Sequence, residues 1–228
     1  REPLRTVSTY CQLLSEKNAP GEEDEETKLF LGYILDGVDR AQALLTSMVE
    51  YATGSVSRRP PVAVDMNAVF AEAERAVDSV GKPEGAAICH DPLPIVTGDF
   101  DVLTKVMRHL IDNAIKFNRA PDPRVCVSAT RDGAFWKFSV CDNGPGIDPA
   151  HHERIFGLFK RLHGRDYPGS GLGLAFCRKV VESLGGRVWV ESRSPAQPED
   201  STSAQPEDST SAQPEGSAFY FTLPVAED

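Results

Sequence analysis

Asp142-Asn143-Gly144-Pro145-Gly146 closes an apolar run, and Gly169-Ser170-Gly171-Leu172-Gly173-Leu174 follows it further down the chain. Upstream of both stands Asp112-Asn113-Ala114-Ile115-Lys116-Phe117. A lone glycine-rich stretch carries little information. An Asn/Lys helix, an Asp-led glycine turn and a second glycine loop, in this order, predict a nucleotide pocket. Glycine lets backbone N–H groups approach a phosphate with no Cβ in the way. A helix starting behind such a loop adds its positive end.

Each motif has a chemical reading and a plainer one. Asp142 ends a strand, and its carboxylate is an acceptor-only group. At the floor of a pocket it can accept from the amino group of adenine; taken alone, Asp-Asn-Gly also makes an ordinary turn. Asn113 and Lys116 are three apart on one predicted helix and point the same way. The Asn oxygen is a hard ligand suited to Mg2+, and the Lys ammonium can face phosphates. Their plainer readings are a groove-lining amide and a solvated charge. Gly169, Gly171 and Gly173 can cradle phosphate oxygens with their amides, or merely permit a tight helix entry. Between the two glycine motifs, Ile147 to Pro168 carries Lys160, Arg161, His163 and Arg165, and reads as a basic lid hinged by glycine. Phe156 and Phe159 are expected to anchor that lid in apolar pockets.

The remaining chain sets the frame. There are 228 residues with a formal net charge of −10, enough for one large domain or two smaller ones. An acidic chain is a poor nucleic-acid binder, so no nucleic-acid partner is expected. The run Glu22-Glu23-Asp24-Glu25-Glu26 reads as a solvated turn and helix start. Five cysteines occur without a CxxC pair, which suits reduced thiols in a cytoplasmic protein; Cys126 and Cys141 are expected to act as small core residues. No apolar run reaches the ~18 residues needed to span a membrane. The sequence opens at Arg1 without Met and reads as a fragment, so a membrane contact would come only from an upstream region.

Residues 1–57 read as two helices. Leu31, Ile34, Val38, Ala41, Leu45, Met48 and Ala52 form an alternating three–four seam. Such a hairpin can pair with a second copy as a four-helix bundle or pack on its own C-terminal domain; the long narrow seam favours a partner helix. A linker is expected at 58–61. Over 62–228 helices alternate with strands: Val62–Asp65, Ala87–His90, a hairpin Arg124–Arg131 and Phe135–Cys141 around Asp132-Gly133, Arg187–Ser192, and Ala218–Val225. Helices are expected over Asn67–Val80, Asp99–Phe117 and Gly171–Leu184. The fold class is α+β, a helical hairpin followed by a two-layer α/β sandwich. An eight-residue repeat beginning at Ala196, Ala204 and Ala212 reads as a disordered hairpin insertion at about 194–216.

With these segments assembled, the chain resembles the sensor histidine kinases over nearly its whole length. Asp112 to Phe117 is similar to the family's N box, Asp142 to Gly146 to G1, Ile155-Phe156-Gly157-Leu158-Phe159 to the F box, and Gly169 to Leu174 to G2. Pro94 to Asp99 resembles the lead-in to the N-box helix, and Arg1 to Arg5 the tail of the H box. Phe159 to His163 and Gly185 to Ser192 resemble the phytochrome-like branch. The resemblance implies a dimerisation and phosphotransfer hairpin and a Bergerat-type ATP-binding domain. It implies ATP and Mg2+ as ligands, a phosphohistidine product and a response regulator receiver domain as next partner. By motif match Asn113 is the Mg2+ ligand and Lys116 a phosphate contact. Phe117 is a stacking ring and Asp142 the adenine reader. Gly144, Gly146, Lys160, Arg161, Gly169, Ser170, Gly171, Leu172 and Gly173 complete the nucleotide contacts.

Two departures qualify the match. The phosphoacceptor is expected three residues before Arg1, so none of His90, His109, His151, His152 and His163 corresponds to it. His109 stands where the N box usually carries its first Asn; it can act as a base or be structural. A degenerate kinase serving as an ATP-modulated docking module is the alternative. An ATPase of the gyrase, Hsp90 and MutL clan is a third reading, with His109 where that clan has its carboxylate base.

Overall fold

The computed structural model describes residues 2–17, 25–54, 62–81, 85–162, 169–193 and 216–226. The expected linker, the acidic residues 22–24, residues 163–168 of the basic lid and nearly all of the repeat insertion lie outside them.

The chain begins with two helices, α1 (Glu2–Lys17) and α2 (Glu25–Thr53), packed side by side. Tyr10 stacks on Tyr33 at 4.8 Å and meets Phe30 at 5.7 Å between ring centres. Glu25 and Glu26 fall in the first turn of α2, where acids suit the positive end of the helix dipole. The heptad seam divides. Ile34, Val38 and Ala41 are half-buried, and Gly37 is buried. Leu31, Leu45 and Met48 remain 46%, 64% and 50% exposed.

The remainder is α+β, as the alternation predicted. In chain order it comprises β1 (Val62–Asp65), α3 (Met66–Gly81), β2 (Ala87–His90), β3 (Ile95–Gly98), α4 (Phe100–Lys116), β4 (Arg124–Asp132), β5 (Phe135–Asp142), α5 (Gly173–Ser183), β6 (Val188–Arg193) and β7 (Gly216–Pro224). Two 3-10 turns, Pro149–His151 and Arg154–Phe156, interrupt the expected lid. Five strands form one sheet in the order β2-β4-β5-β7-β6, with only β2 parallel to its neighbour. β1 and β3 form a separate antiparallel pair. β3 was legible only as a lead-in to α4. Four residues behind a proline carry little strand signal, and β3 exists by pairing with β1, Val64 opposite Val96. The β4–β5 hairpin turns at Gly133, whose φ of 59° is accessible to glycine at little cost.

Period-2 alternation turns Val125, Val127, Phe138, Val140, Phe219, Phe221 and Leu223 to one face, where they are buried. Phe138 and Phe221 stack at 4.7 Å. α4 covers β4 and β5, and α5 covers β6 and β7. α4 buries Leu103, Val106, Met107, Leu110, Ile111, Ala114 and Ile115. Its start is set by Asp99, whose Oδ1 accepts from the amides of Asp101 (3.0 Å) and Val102 (3.2 Å). Among the described residues, no helix is long and apolar enough to cross a membrane.

The cysteines depart from the reading as reduced core thiols. Cys89 and Cys126 face each other across the parallel β2–β4 pair and form a disulfide, with Cα atoms 4.7 Å apart. Both lie on the outer side of the sheet and are exposed; Cys141, opposite Cys126, is half-buried. Strand-like residues on either side could not reveal which face Cys126 takes, because the pairing partner is 37 residues away. Of the remaining thiols, Cys177 is buried and Cys11 exposed.

Two outcomes are expected. Asp99→Ala removes the cap of α4 and should cost about 1 kcal/mol in denaturant unfolding, with Asp99→Ser recovering most of it. Reductant should lower wild-type stability by about 2–4 kcal/mol while leaving Cys89→Ser unmoved; equal responses would show that the disulfide is not formed.

Candidate functional site

Helical spacing sets His109, Asn113 and Lys116 along one stripe of α4, beside its buried face. All three are half-buried. Lys116 sends its ammonium to Gly169: a Cβ there would lie 2.6 Å from Nζ. Burial, with Arg161 nearby, pushes the Lys116 pKa below the usual lysine range, while Asp112 opposes the shift. The structure therefore gathers Lys116, Arg161 and the G2 backbone into one electropositive corner. Lys116 also lies over the Phe117 ring at 5.0 Å. Burial raises the pKa of Asp112, against the pull of Arg108, His109 and Lys116.

Asp142 ends β5 on the same inward register as Phe138 and Val140, and is 7% exposed. Its Oδ1 accepts from the amides of Gly144 (2.8 Å) and Ser217 (3.3 Å). Oδ2 has no hydrogen bond among the described residues. Burial pushes its pKa up to about 6, although the Gly144 and Ser217 amides pull the other way. A Cβ on Gly144 would stand 2.8 Å from Oδ1, and one on Gly216 would run into the Asp142 carbonyl. Gly146 has φ of 75°. Asp142 is thus a buried carboxyl at the end of a strand, with one oxygen held by two backbone amides and its ionisation displaced toward neutral pH by burial.

The sequence reading overlooked a brace behind this turn. Asn143 Oδ1 accepts from the Arg124 amide and from Asn118 Nδ2, both at 2.7 Å, while Asn143 Nδ2 donates to the Asp122 carbonyl at 3.0 Å. G1 is thereby tied to the start of β4 and to the exit of α4. Asn143 sits inside the quoted motif, but its partners lie about two dozen residues earlier, and nothing local announces them.

The G2 loop is held from the other side. Gly169 and Gly171 have φ of 149° and 70°. A Cβ on Gly171 would come within 3.0 to 3.1 Å of the Phe159–Lys160 backbone. The Phe159 amide donates to the Gly171 carbonyl at 3.0 Å. The end of the F box is thus stapled to G2. Ser170 Oγ accepts from the Leu172 amide at 3.3 Å, and Leu172 is buried. α5 then starts at Gly173 with no side-chain cap, the condition in which helix amides suit an anion. Phe156 is buried as expected, but Phe159 is 53% exposed. Its φ of 58° turns the ring outward while its backbone joins G2. Lys160 and Arg161 are exposed at this rim. A separate cavity of about 400 Å³ between α5 and the edge strand β6 holds none of the three motifs.

Residues 98–227 match the model of the histidine kinase-, DNA gyrase B- and HSP90-like ATPase family. Cyanobacterial phytochrome A of Nostoc sp. (strain PCC 7120 / SAG 25.82 / UTEX 2576) is 37% identical across 99% of this chain, which spans 27% of that protein. The chain therefore covers about a quarter of that relative's length. Among solved structures, the mycobacterial sensor histidine kinase MprB superposes with a TM-score of 0.56 at 30% identity, covering 72% of this chain and 97% of that one. Full-length ShkA in complex with AMPPNP superposes with a TM-score of 0.65 at 24% identity, over 100% of this chain and 44% of that one. The motifs, the two-layer fold and these likenesses agree: the chain belongs to the histidine kinase-, DNA gyrase B- and HSP90-like ATPase family.

Proposed function

We propose that this chain is the catalytic core of a two-component sensor histidine kinase. It binds ATP with Mg2+ and directs the γ-phosphoryl to a histidine, for relay to an aspartate of a response regulator receiver domain. Residues 1–57 serve as the dimerisation and phosphotransfer hairpin and 62–228 as the ATP-binding domain. The observation that carries this reading is the interlock of the three motifs. Lys116 abuts Gly169, His109 abuts Gly173, and Asn118 bonds Asn143. AMPPNP in the similar ShkA structure supports the choice of nucleotide.

Each residue has a part in this reading. Oδ2 of Asp142 accepts from the adenine amino group, and Gly144 and Gly146 let the base approach. Phe117 flanks the base. Lys116, Lys160 and Arg161 face the phosphates, with the amides of Gly169 to Gly173 behind them, Ser170 and Leu172 included. Among the described residues there is no group of three or more His, Cys, Asp or Glu side chains able to hold a metal. Asn113 would offer its side-chain oxygen to a Mg2+ carried in with the nucleotide. When bound, it offsets charge on the β- and γ-phosphates. In this reading His109, which abuts Gly173 of G2, takes the place of the usual Asn. Aligned groups and charge neutralisation supply most of what such a transfer needs.

Dimerisation is the second element. Leu31, Leu35, Leu45, Met48 and Val49 of α2 leave an apolar strip exposed, which suits the same strip of a second copy.

Two measurements test the proposal. Asp142→Asn should weaken a fluorescent ATP analogue on the order of 10–100-fold at pH 7.5, the scale of a hydrogen bond to a charged group. The Asp142 pKa is raised in the folded state, so the fold is favoured below the ordinary carboxylate range and loses that contribution as pH rises through about 6. An adenine donor favours the ionised form, so affinity should rise across the same window in wild type relative to Asp142→Asn. Unchanged affinity in the variant rejects the pocket assignment. Separately, the wild type should sediment as a dimer that Leu45→Glu with Met48→Glu dissociates; a wild-type monomer at high concentration would reject the bundle.

A further inference from the structure

The last turn of α2 is wedged against the ATP-binding unit at the seam of α4 and α5. Gly54 is buried, and any Cβ there would strike the Phe176 ring. Lys179 Nζ donates to the carbonyls of Tyr51 (2.7 Å) and Ala52 (3.4 Å), and lies over the Tyr51 ring at 4.6 Å. These are terminal carbonyls that the helix cannot satisfy itself, and a cation suits that end of the dipole.

From this wedge Glu50 reaches α4. Its Oε1 accepts from Arg108 at 3.2 Å, and its Oε2 stands 3.5 Å from His109 Nε2. Hydrogen bonding from His109 holds the Glu50 pKa below its usual range; burial opposes this, and Arg108 and Lys105 assist. The opposite edge of the His109 ring meets G2: a Cβ on Gly173 would lie 3.1 Å from Nδ1. Phe176 completes the enclosure, edge-on to the imidazole at 5.3 Å. Glu50, His109, Phe176 and Gly54 therefore close a ring of contacts that runs from the hairpin helix to the first residue of α5.

A ring nitrogen facing a carboxylate carries a proton, since a lone pair there would be repelled. The partner of one nitrogen thus sets the state of the other. We propose that Glu50 is a positioning residue for the nucleotide site. From α2 it holds His109 with the proton on Nε2 and turns Nδ1 toward Gly173, so that seating of the hairpin helix sets the end of the G2 loop. The inference rests on the nucleotide reading of that loop. It also accounts for two features the motif comparison leaves unexplained. A histidine can occupy this place in the N box because a carboxylate from another element meets it. Gly173 favours glycine because a Cβ there would crowd the His109 ring at 3.1 Å.

The test uses the full chain labelled with 15N-histidine. Long-range 1H–15N correlations are recorded at a pH where the ring is neutral, and His109 is assigned by the signal lost in His109→Asn. Wild type should show the pattern of a proton on Nε2. Glu50→Ala should average the two tautomers, whereas Glu50→Gln, whose amide oxygen still accepts, should keep the wild-type pattern. Glu50→Ala should also weaken a fluorescent ATP analogue by roughly five-fold, with no added loss when combined with His109→Asn. A His109 pattern identical in wild type and Glu50→Ala, or a wild-type proton on Nδ1, overturns the inference. So does a full additional loss in the double variant. Failure of the wild type to bind the analogue would instead count against the nucleotide reading, while the NMR pattern still decides the role of Glu50.

Discussion

Burial of α4 against the inner face of the sheet is the constraint on which the rest depends. Seven apolar residues of one helix disappear into the core, and each large one contributes on the order of 1.5–3 kcal/mol when removed from water. That packing fixes the rotation of the helix. With the rotation fixed, His109, Asn113 and Lys116 can only emerge along its flank, between the sheet end that carries Asp142 and the start of α5. The polar stripe is a by-product of the apolar one.

Around this helix the glycine motifs are held by backbone rather than by side-chain chemistry. Gly171 receives the Phe159–Lys160 backbone at contact distance, Gly144 makes room for Asp142 Oδ1, and Gly216 passes close to the Asp142 carbonyl. A Cβ on Gly216 would strike backbone, while one on Gly144 or Gly171 would make a contact closer than side chains ordinarily make. The resulting loops present amides and a buried carboxylate without needing those groups to be fixed by a ligand. Such preorganisation lowers the ordering cost of binding. Burial of Asp142 works against the fold at neutral pH, since the charged form is the one disfavoured.

The hairpin is coupled to this site through a small, dense contact. Glu50, Tyr51, Ala52 and Gly54 meet Arg108, His109, Phe176 and Lys179. A charged pair, a helix end capped by a lysine and a glycine–aromatic fit occur within one turn of α2. Because the polar parts are partly shielded from water, they are screened less than surface pairs. A movement of α2 must therefore break several interactions together, which is the condition for a discrete rather than a gradual response.

Much of this was legible in the residues themselves. The three–four spacing of α2, the apolar stripe of α4, the turn at Asp132-Gly133 and the order of the three motifs are local patterns. They follow from the 3.6-residue and 2-residue periods and from the special backbone of glycine, so elements and their chemistry could be read from order alone. What is not local could not be read. The pairing of β3 with β1, the facing of Cys89 and Cys126, the spokes of Asn143 and the outward turn of Phe159 depend on partners separated in the chain. So does the meeting of Glu50 with His109, where the decisive contact spans two elements and neither residue carries a mark of the other. Sequence order determined which surfaces each element must bury. Only the tertiary structure decided which polar groups that burial would bring face to face, because burial constrains the apolar side of an element and leaves its polar side to whatever packs beside it.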